Sequence, residues 1–152
     1  VGLNLIAIKK LFPKIKLHGV EINKKASEML IERNITTVDN SSIKEYEITS
    51  VFDVSLIKGV LIHLNPNDLK DAYIKIYNSS HKYIIIAEYY NPTPISIEYR
   101  GHKDKLFKRD FAGEIMNEFK DLKLIKSGFS YHRDLNFPQD DISWFLLEKN
   151  SS

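Results

Sequence analysis

The 152-residue sequence contains no cysteine. A disulfide scaffold, a thiolate zinc site and a cysteine nucleophile are therefore excluded, and the composition is compatible with a reducing cytoplasm. Long hydrophobic runs are also missing, because no apolar stretch reaches the ~18 residues of a membrane span. The apolar start is followed by lysines rather than preceded by them, unlike a signal peptide. We therefore expect a cytoplasmic protein with no membrane contact and no bound metal.

The chain has little excess charge of either sign. Its 22 basic and 20 acidic residues give a formal net charge of +2. This balance shows neither the basic stripe of a nucleic-acid-binding protein nor a polybasic membrane face, so we expect no nucleic-acid partner. The hydrophobic fraction of 43% and the charged fraction of 28% are typical of a globular protein. The length suits one domain, which we place at residues 1–149.

Helix and strand patterns alternate along the first third of the chain. Residues 3–11 carry a short helical stripe, and residues 17–22 have the brevity and composition of a buried strand. Asn23 can cap a second helix that closes near Asn34. Residues 35–38 then form a short strand candidate.

The alternation continues and is then interrupted. A third apolar run covers residues 52–61, and a helix with strong apolar periodicity opens at Pro66. Residues 83–87 are apolar on both faces, as a central parallel strand is. Residues 88–108 break the rhythm, and we predict a long loop there.

The C-terminal part predicts a further helix with Phe111, Ile115 and Phe119 on one face. Two strands follow, at residues 122–131 and 142–147, joined by a hairpin loop. We interpret three aromatic residues as core: Phe137, Trp144 and Phe145. The whole pattern predicts an α/β fold with a mostly parallel, doubly wound sheet and an antiparallel C-terminal hairpin.

In such sheets, ligands bind beyond the carboxyl ends of the strands. Gly2 directly precedes the first helix, as the last glycine of a glycine-rich turn would, and Glu21 ends the next strand 19 positions later. An acidic residue about 20 positions after such glycines accepts hydrogen bonds from a ribose diol. The alternative is that Gly2 is only a turn residue and Glu21 faces solvent.

Two later strand ends carry further polar residues. Asp39 and Ser41 follow the short third strand, where they can hold an adenine edge, although such clusters also form plain turns. His63 follows the 52–61 run and can serve as a base; a histidine before a helix can equally be a capping or packing residue.

Two parts of the sequence are distinctive: the tyrosine-rich segment that follows Glu88 and the block Lys108-Arg109-Asp110-Phe111. In these parts above all, the chain resembles the S-adenosylmethionine-dependent methyltransferases associated with pseudaminic acid biosynthesis, which are sugar-modifying members of the class I methyltransferases. The matching segments run nearly from end to end: residues 1–5, 18–23, 58–63, 86–94, 99–102, 106–114 and 137–141.

The resemblance implies a Rossmann-like class I fold and S-adenosylmethionine as cofactor. It implies five cofactor-binding residues: Gly2, Glu21, Asp39, Ser41 and Lys58. Members of the family begin with a further segment and a first strand ahead of the position that Val1 occupies. We therefore expect the chain to lack the N-terminal part of its domain, including its central strand, and to be inactive alone.

The acceptor is expected to be a sugar or nonulosonate-pathway small molecule that contacts the segment from Glu88 to Asp110. Its aromatic and polar groups suit a sugar with an anionic group for Arg100. The substrate-binding candidates are Tyr89, Asn91, Tyr99 and Arg100, and the catalytic candidates are His63, Tyr90 and His102. Tyr131-His132-Arg133-Asp134 and Asp140-Asp141 could join this site from the terminal hairpin, or some of them could be turn formers. The alternative is an ordinary lid packed by tyrosines.

Two other functions are compatible with the same fold. One is a catalytically inactive nucleotide-binding module, and the other is a methyltransferase acting on a different small molecule. A nicotinamide-dependent oxidoreductase is disfavoured, because none of the predicted helices carries the Tyr-x-x-x-Lys pair of hydride chemistry.

Overall fold

The computed structural model describes residues 2–99 and 101–150, with residues 99 and 102–105 described by their backbone only. Tertiary contacts divide the chain into two compact units. Unit 1 is Val1–Glu47 and unit 2 is Ile48–Ser152. Within the described ranges, no helix is both long and apolar enough to cross a membrane.

Unit 1 contains two helices and a two-stranded parallel sheet. Its elements are α1 (Leu3–Leu11), β1 (His18–Val20), α2 (Lys24–Glu32) and β2 (Thr37–Asp39). β1 pairs with β2 in parallel, with Gly19 opposite Val38. The predicted cap of α2 is confirmed, because the Asn23 side chain accepts a hydrogen bond from the Ala26 N–H at 3.1 Å. α1 is a helix as predicted, but none of its residues is buried.

Unit 2 contains a four-stranded mixed sheet, two helices and a separate hairpin. Its elements are β3 (Phe52–Lys58), the 3₁₀ turns Leu61–His63 and Pro66–Asp68, α3 (Leu69–Asn78), β4 (Ser80–Glu88), β5 (Ile95–Tyr99), β6 (His102–Lys108), α4 (Phe111–Glu118), β7 (Leu122–Ser130) and β8 (Ile142–Lys149). The sheet order is β3-β4-β8-β7. β3 and β4 are parallel, whereas β8 is antiparallel to both β4 and β7, so the predicted C-terminal hairpin is confirmed.

The core of unit 2 lies where β4 meets its neighbours. Ile86 is 1% exposed and stands opposite Ile57 on β3 and Phe145 on β8. The side chains of Ile84, Leu147 and Ile115 are fully buried. β4 is therefore a central strand, as its unbroken apolar run predicts.

Two sequence expectations are wrong. Within residues 88–108, Ile95–Tyr99 pairs with His102–Lys108 as an antiparallel hairpin, so this segment is not simply a long loop. Gly101 has φ 79, the left-handed backbone that glycine tolerates in a tight turn. Phe137 is not core, because its side chain is 73% exposed in the loop between β7 and β8.

Candidate functional site

The carboxyl ends of β1 and β2 meet in unit 1. The Glu21 N–H donates to the Asp39 carbonyl at 3.0 Å. The Asn40 side-chain amide donates to the Glu21 carbonyl at 2.7 Å. These bonds hold Glu21 beside the residues that follow β2, as expected for neighbouring parallel strands.

The Glu21 carboxylate is placed to accept hydrogen bonds from a ligand. Its Oε1 accepts from the Asn23 N–H at 2.8 Å, which orients the carboxylate at the start of α2. Within the described residues, its Oε2 has no recorded hydrogen-bond donor, and the residue is half-buried. A carboxylate with one oxygen already hydrogen-bonded and the other without a donor can accept a hydrogen bond from a diol.

Asp39 and Ser41 differ in whether their side chains already have a polar partner within the protein. The Asp39 Oδ2 lies 3.1 Å from the His18 Nε2, so part of this carboxylate is paired. The Ser41 Oγ is buried and has no hydrogen-bond partner within the described residues. A buried hydroxyl without a partner costs about 1–3 kcal/mol, and a ligand atom at this position would remove that penalty. Ser41 is therefore the second side chain of unit 1 that fits a bound polar group.

The position of Gly2 has a local structural explanation. Its φ is 63, in the left-handed region, and a Cβ there would lie 2.2 Å from the Leu30 Cδ2. Any larger residue would strain the backbone and displace Leu30. This geometry agrees with the alternative reading of Gly2 as a turn residue, and its cofactor role stays a prediction.

Sequence reasoning missed Glu88, which ends β4 in unit 2. It is only 3% exposed. Its Oε1 accepts from the Val60 N–H at 2.9 Å and from the Leu61 N–H at 3.1 Å. Burial raises the pKa of the Glu88 carboxyl to about 7, and backbone N–H groups act in the opposite direction. The sequence feature that could have identified Glu88 is its place as an acidic residue at the end of a strand that is apolar on both faces.

The β7–β8 hairpin loop contacts the same strand ends. The Lys58 Nζ donates to the Gln139 Oε1 at 2.9 Å. The Tyr89 hydroxyl donates to the Asp140 Oδ2 at 3.0 Å. The structure thus brings Lys58, Tyr89 and Asp140 to one edge of the sheet, although they are far apart in sequence.

The remaining described candidates occupy the loops around this edge. Tyr90 is 42% exposed and its ring centre lies 5.9 Å from that of Phe145. The Asn91 side-chain amide donates to the Thr93 carbonyl at 2.6 Å, so it stabilises its own turn. His63 is exposed at the end of the 61–63 turn. Arg100 lies outside the described residues, as do the side chains of Tyr99 and His102.

Arg109 joins the base of the β5–β6 hairpin to two helices. Its Nε donates to the Glu114 Oε1 on α4 at 2.7 Å. The Tyr73 hydroxyl on α3 donates to the other oxygen of Glu114, also at 2.7 Å. Burial, followed by the bond to Glu114, raises the pKa of Tyr73. This network was not predicted as part of the site. It links the base of the β5–β6 hairpin to α3 and α4.

No protein-family model matches the sequence, and no curated protein is similar to it in sequence. Solved structures do resemble it. The O-methyltransferase of a trans-AT polyketide synthase from Brevibacillus brevis, in complex with S-adenosyl-L-homocysteine, matches with a TM-score of 0.71 and 16% identity over 97% of this chain. A Burkholderia thailandensis 1,6-didemethyltoxoflavin N1-methyltransferase matches with a TM-score of 0.70 and 10% identity over 95% of the chain.

The N-methyltransferase NodS from Bradyrhizobium japonicum matches with a TM-score of 0.68 and 12% identity over 94% of the chain. The chain has the Rossmann-like methyltransferase fold. At these identities the likeness shows the fold alone. The chain covers 71% of the NodS structure, but only 63% of the Brevibacillus methyltransferase and 66% of the Burkholderia one.

Proposed function

We propose that this chain is part of an S-adenosylmethionine-dependent methyltransferase that acts on a sugar or nonulosonate-pathway acceptor. The observation that carries the proposal is the Glu21 carboxylate, held at a strand end with one oxygen open, in a methyltransferase fold. The three structural neighbours described above were each solved with S-adenosylhomocysteine. The resemblance of the sequence segments supports the pseudaminic acid-associated family, and the lack of cysteine supports a cytoplasmic location.

The residues of unit 1 fit the nucleoside part of the cofactor. Glu21 would accept hydrogen bonds from the ribose hydroxyls, and Asp39 and Ser41 would hold the adenine edge. The buried, unpaired Ser41 Oγ and the open Glu21 Oε2 are the two observations that support this fit. Lys58 and Gly2 are the remaining proposed cofactor residues.

S-adenosylmethionine, when bound, supplies a methyl group that is already activated for in-line displacement. The chain then has to align the acceptor and exclude water, which can contribute ~7–11 kcal/mol. We assign the acceptor to the segment from Glu88 to Asp110. Tyr89 and Asn91 support this assignment because they follow the end of β4, where ligands of such sheets bind. His63, Tyr90 or His102 would take the proton from an accepting hydroxyl.

Glu21→Ala tests the cofactor assignment in the full-length protein. We expect at least a tenfold loss of affinity for S-adenosylmethionine, because one hydrogen bond to a charged group contributes roughly 1.5 kcal/mol or more. Isothermal titration calorimetry measures this directly. Glu28→Ala is the matched control, since Glu28 is an exposed carboxylate on α2 that pairs only loosely with Lys24 at 4.0 Å. Equal affinities for Glu21→Ala and Glu28→Ala would refute the role of Glu21.

Arg100→Ala tests the acceptor assignment. We expect a higher KM for an anionic sugar acceptor and an unchanged affinity for S-adenosylmethionine, because Arg100 is assigned to the acceptor's anionic group. Steady-state kinetics with Arg33→Ala as control separate this result from a general effect of lost positive charge, since Arg33 is exposed and belongs to no proposed site. A loss of cofactor affinity, or unchanged turnover of every nonulosonate-type acceptor, contradicts the assignment. Cofactor binding without any turnover would favour the inactive nucleotide-binding module instead.

We further propose that the 152-residue chain is inactive alone. Within the described residues, β1 pairs only with β2, and β3 pairs only with β4, so each of these strands leaves one backbone edge unpaired. Such an edge exposes backbone N–H and C=O groups that a further strand could pair with, and the proposed site lies at the ends of these strands.

A further inference from the structure

The Glu88 carboxylate and the turn that leaves β3 form one hydrogen-bonded unit. The chain leaves β3 at Gly59, whose N–H donates to the Ala87 carbonyl at 3.0 Å and whose φ is 65. Leu61 and Ile62 are then buried and anchor the turn. The Val60 and Leu61 N–H groups face Glu88 and donate to its Oε1.

Burial makes this arrangement unusual for a charged group. Glu88 is 3% exposed, and its Oε2 is buried without a hydrogen-bond partner in the described part of the chain. A buried carboxylate is unfavourable unless it is well compensated. Glutamine could accept the same two N–H bonds without charge, so packing alone does not require an acid here.

We propose that Glu88 is a positioning residue for methyl transfer: its carboxylate holds the Val60 and Leu61 N–H groups and thereby fixes the turn between Lys58 and His63. The inference rests on the proposed function. It goes beyond that function by assigning to Glu88, the first residue of the acceptor segment, a role that is exerted through the turn.

The location of the turn explains why its position matters. Lys58 precedes it, and His63 ends it, at the carboxyl end of β3 beside that of β4. The turn also contacts β6, a strand of the hairpin within the acceptor segment. A small displacement of groups that align a reacting pair lowers the rate strongly. Glu88 therefore controls where this part of the site lies.

The protonation state of Glu88 sets the strength of its hydrogen bonds to the Val60 and Leu61 N–H groups. Neighbouring elements carry other titratable groups: Lys58 on β3, His63 on the turn, Tyr73 on α3 and Glu114 on α4. Burial causes the upward shift of the Glu88 pKa, backbone N–H groups oppose it, and these side chains are not among its main causes. The carboxylate accepts more strongly than the neutral acid, so the turn is held best above about pH 7.

Nuclear magnetic resonance tests the contact itself in the isotope-labelled full-length protein. The amide proton shifts of Val60 and Leu61 should change with pH with a midpoint near 7 in the wild type. Glu88→Gln should abolish this transition. The same transition in the Gln variant, or none in the wild type, would overturn the inference.

Kinetics test the consequence. Glu88→Gln should lower kcat/KM about tenfold above pH 7 and remove its rise through neutral pH. Ile86→Val, a buried change two residues earlier on β4, is the control and should keep the wild-type pH profile. A Gln variant with the wild-type profile would overturn the positioning role. A wild type without methyl transfer would instead refute the proposed function, while the amide transition still decides whether Glu88 holds the turn.

Discussion

At the scale of single residues, the folded protein disfavours the charged form of the Glu88 carboxyl. Burial raises its pKa from the ordinary 4.5 to about 7. Between these values the folded protein binds a proton that the unfolded chain has released. Stability therefore falls as the pH rises from about 4.5 to about 7 and levels off above that window.

Glu88→Gln should remove this dependence. The stability of the variant relative to the wild type should increase between pH 4.5 and pH 8 by on the order of 3 kcal/mol, from the linkage between a pKa shift and free energy. Denaturant unfolding at both pH values measures the difference. The free-energy cost of burying the glutamine amide does not depend on pH, so it cancels when the two pH values are compared. A relative stability that stays constant would mean that Glu88 titrates normally.

Single residues also show what sequence reasoning could reach. Glu21 was predicted from spacing, and the structure places it at the end of β1 beside Asp39. Glu88 was not predicted, because its properties come from the Val60 and Leu61 N–H groups nearly 30 positions earlier. Burial of an acid depends on which segments cover it, which its local sequence does not state.

At the scale of elements, the β5–β6 hairpin is fastened where it enters and leaves the fold. The Asn91 N–H donates to the Arg109 carbonyl at 3.4 Å, which brings the two ends together. The Arg109 side chain then bonds Glu114 on α4, which also bonds Tyr73 on α3. Arg109 therefore connects the hairpin to both helices.

Arg109→Ala should loosen the hairpin. We expect a loss of about 1–2 kcal/mol in stability, because a half-buried hydrogen bond between charged groups is removed. Hydrogen exchange in β5 and β6 should become faster. Tyr73→Phe is the control, since it removes the other bond to Glu114 and leaves the Arg109 contact in place. Unchanged exchange in the Ala variant would show that other contacts hold the hairpin.

The helices were more predictable than the hairpin for a physical reason. α2 begins at Asn23, whose side chain accepts a hydrogen bond from the N–H three positions later, and this cap was predicted from the sequence. α4 begins in the same way at Asp110, a cap that the structure adds. Strand pairing in the hairpin instead depends on partners such as Ile97 and Leu106 meeting across a turn. Because the hairpin is rich in polar residues, its sequence did not indicate this pairing.

At the scale of the whole molecule, the two units differ in how much core they have. Among the described residues, unit 1 buries only Ala26, Ser27, Leu30 and Tyr46. Unit 2 has a continuous core around β4, including Ile84, Ile86 and Leu147. Unit 1 should therefore be the less stable of the two.

We expect the 152-residue chain to melt without a single cooperative transition. Trp144, the only tryptophan in the sequence, lies on β8 and reports on unit 2. Its fluorescence should change at a higher temperature than the far-ultraviolet circular dichroism, part of which comes from α1 and α2. The full-length protein, melted in parallel, is the comparison. Coincident transitions of the two probes in the short chain would contradict this expectation.

The sequence by itself determined the order of helices and strands outside residues 88–108, the cap at Asn23, and the central position of β4. These features depend on residues within a few positions of each other, so composition and periodicity reveal them. Only the tertiary structure decided that Tyr89 meets Asp140, that Phe137 is exposed and that Glu88 is buried under the Val60–Leu61 backbone. Each of these depends on segments distant in sequence, and their meeting is set by packing of the whole sheet.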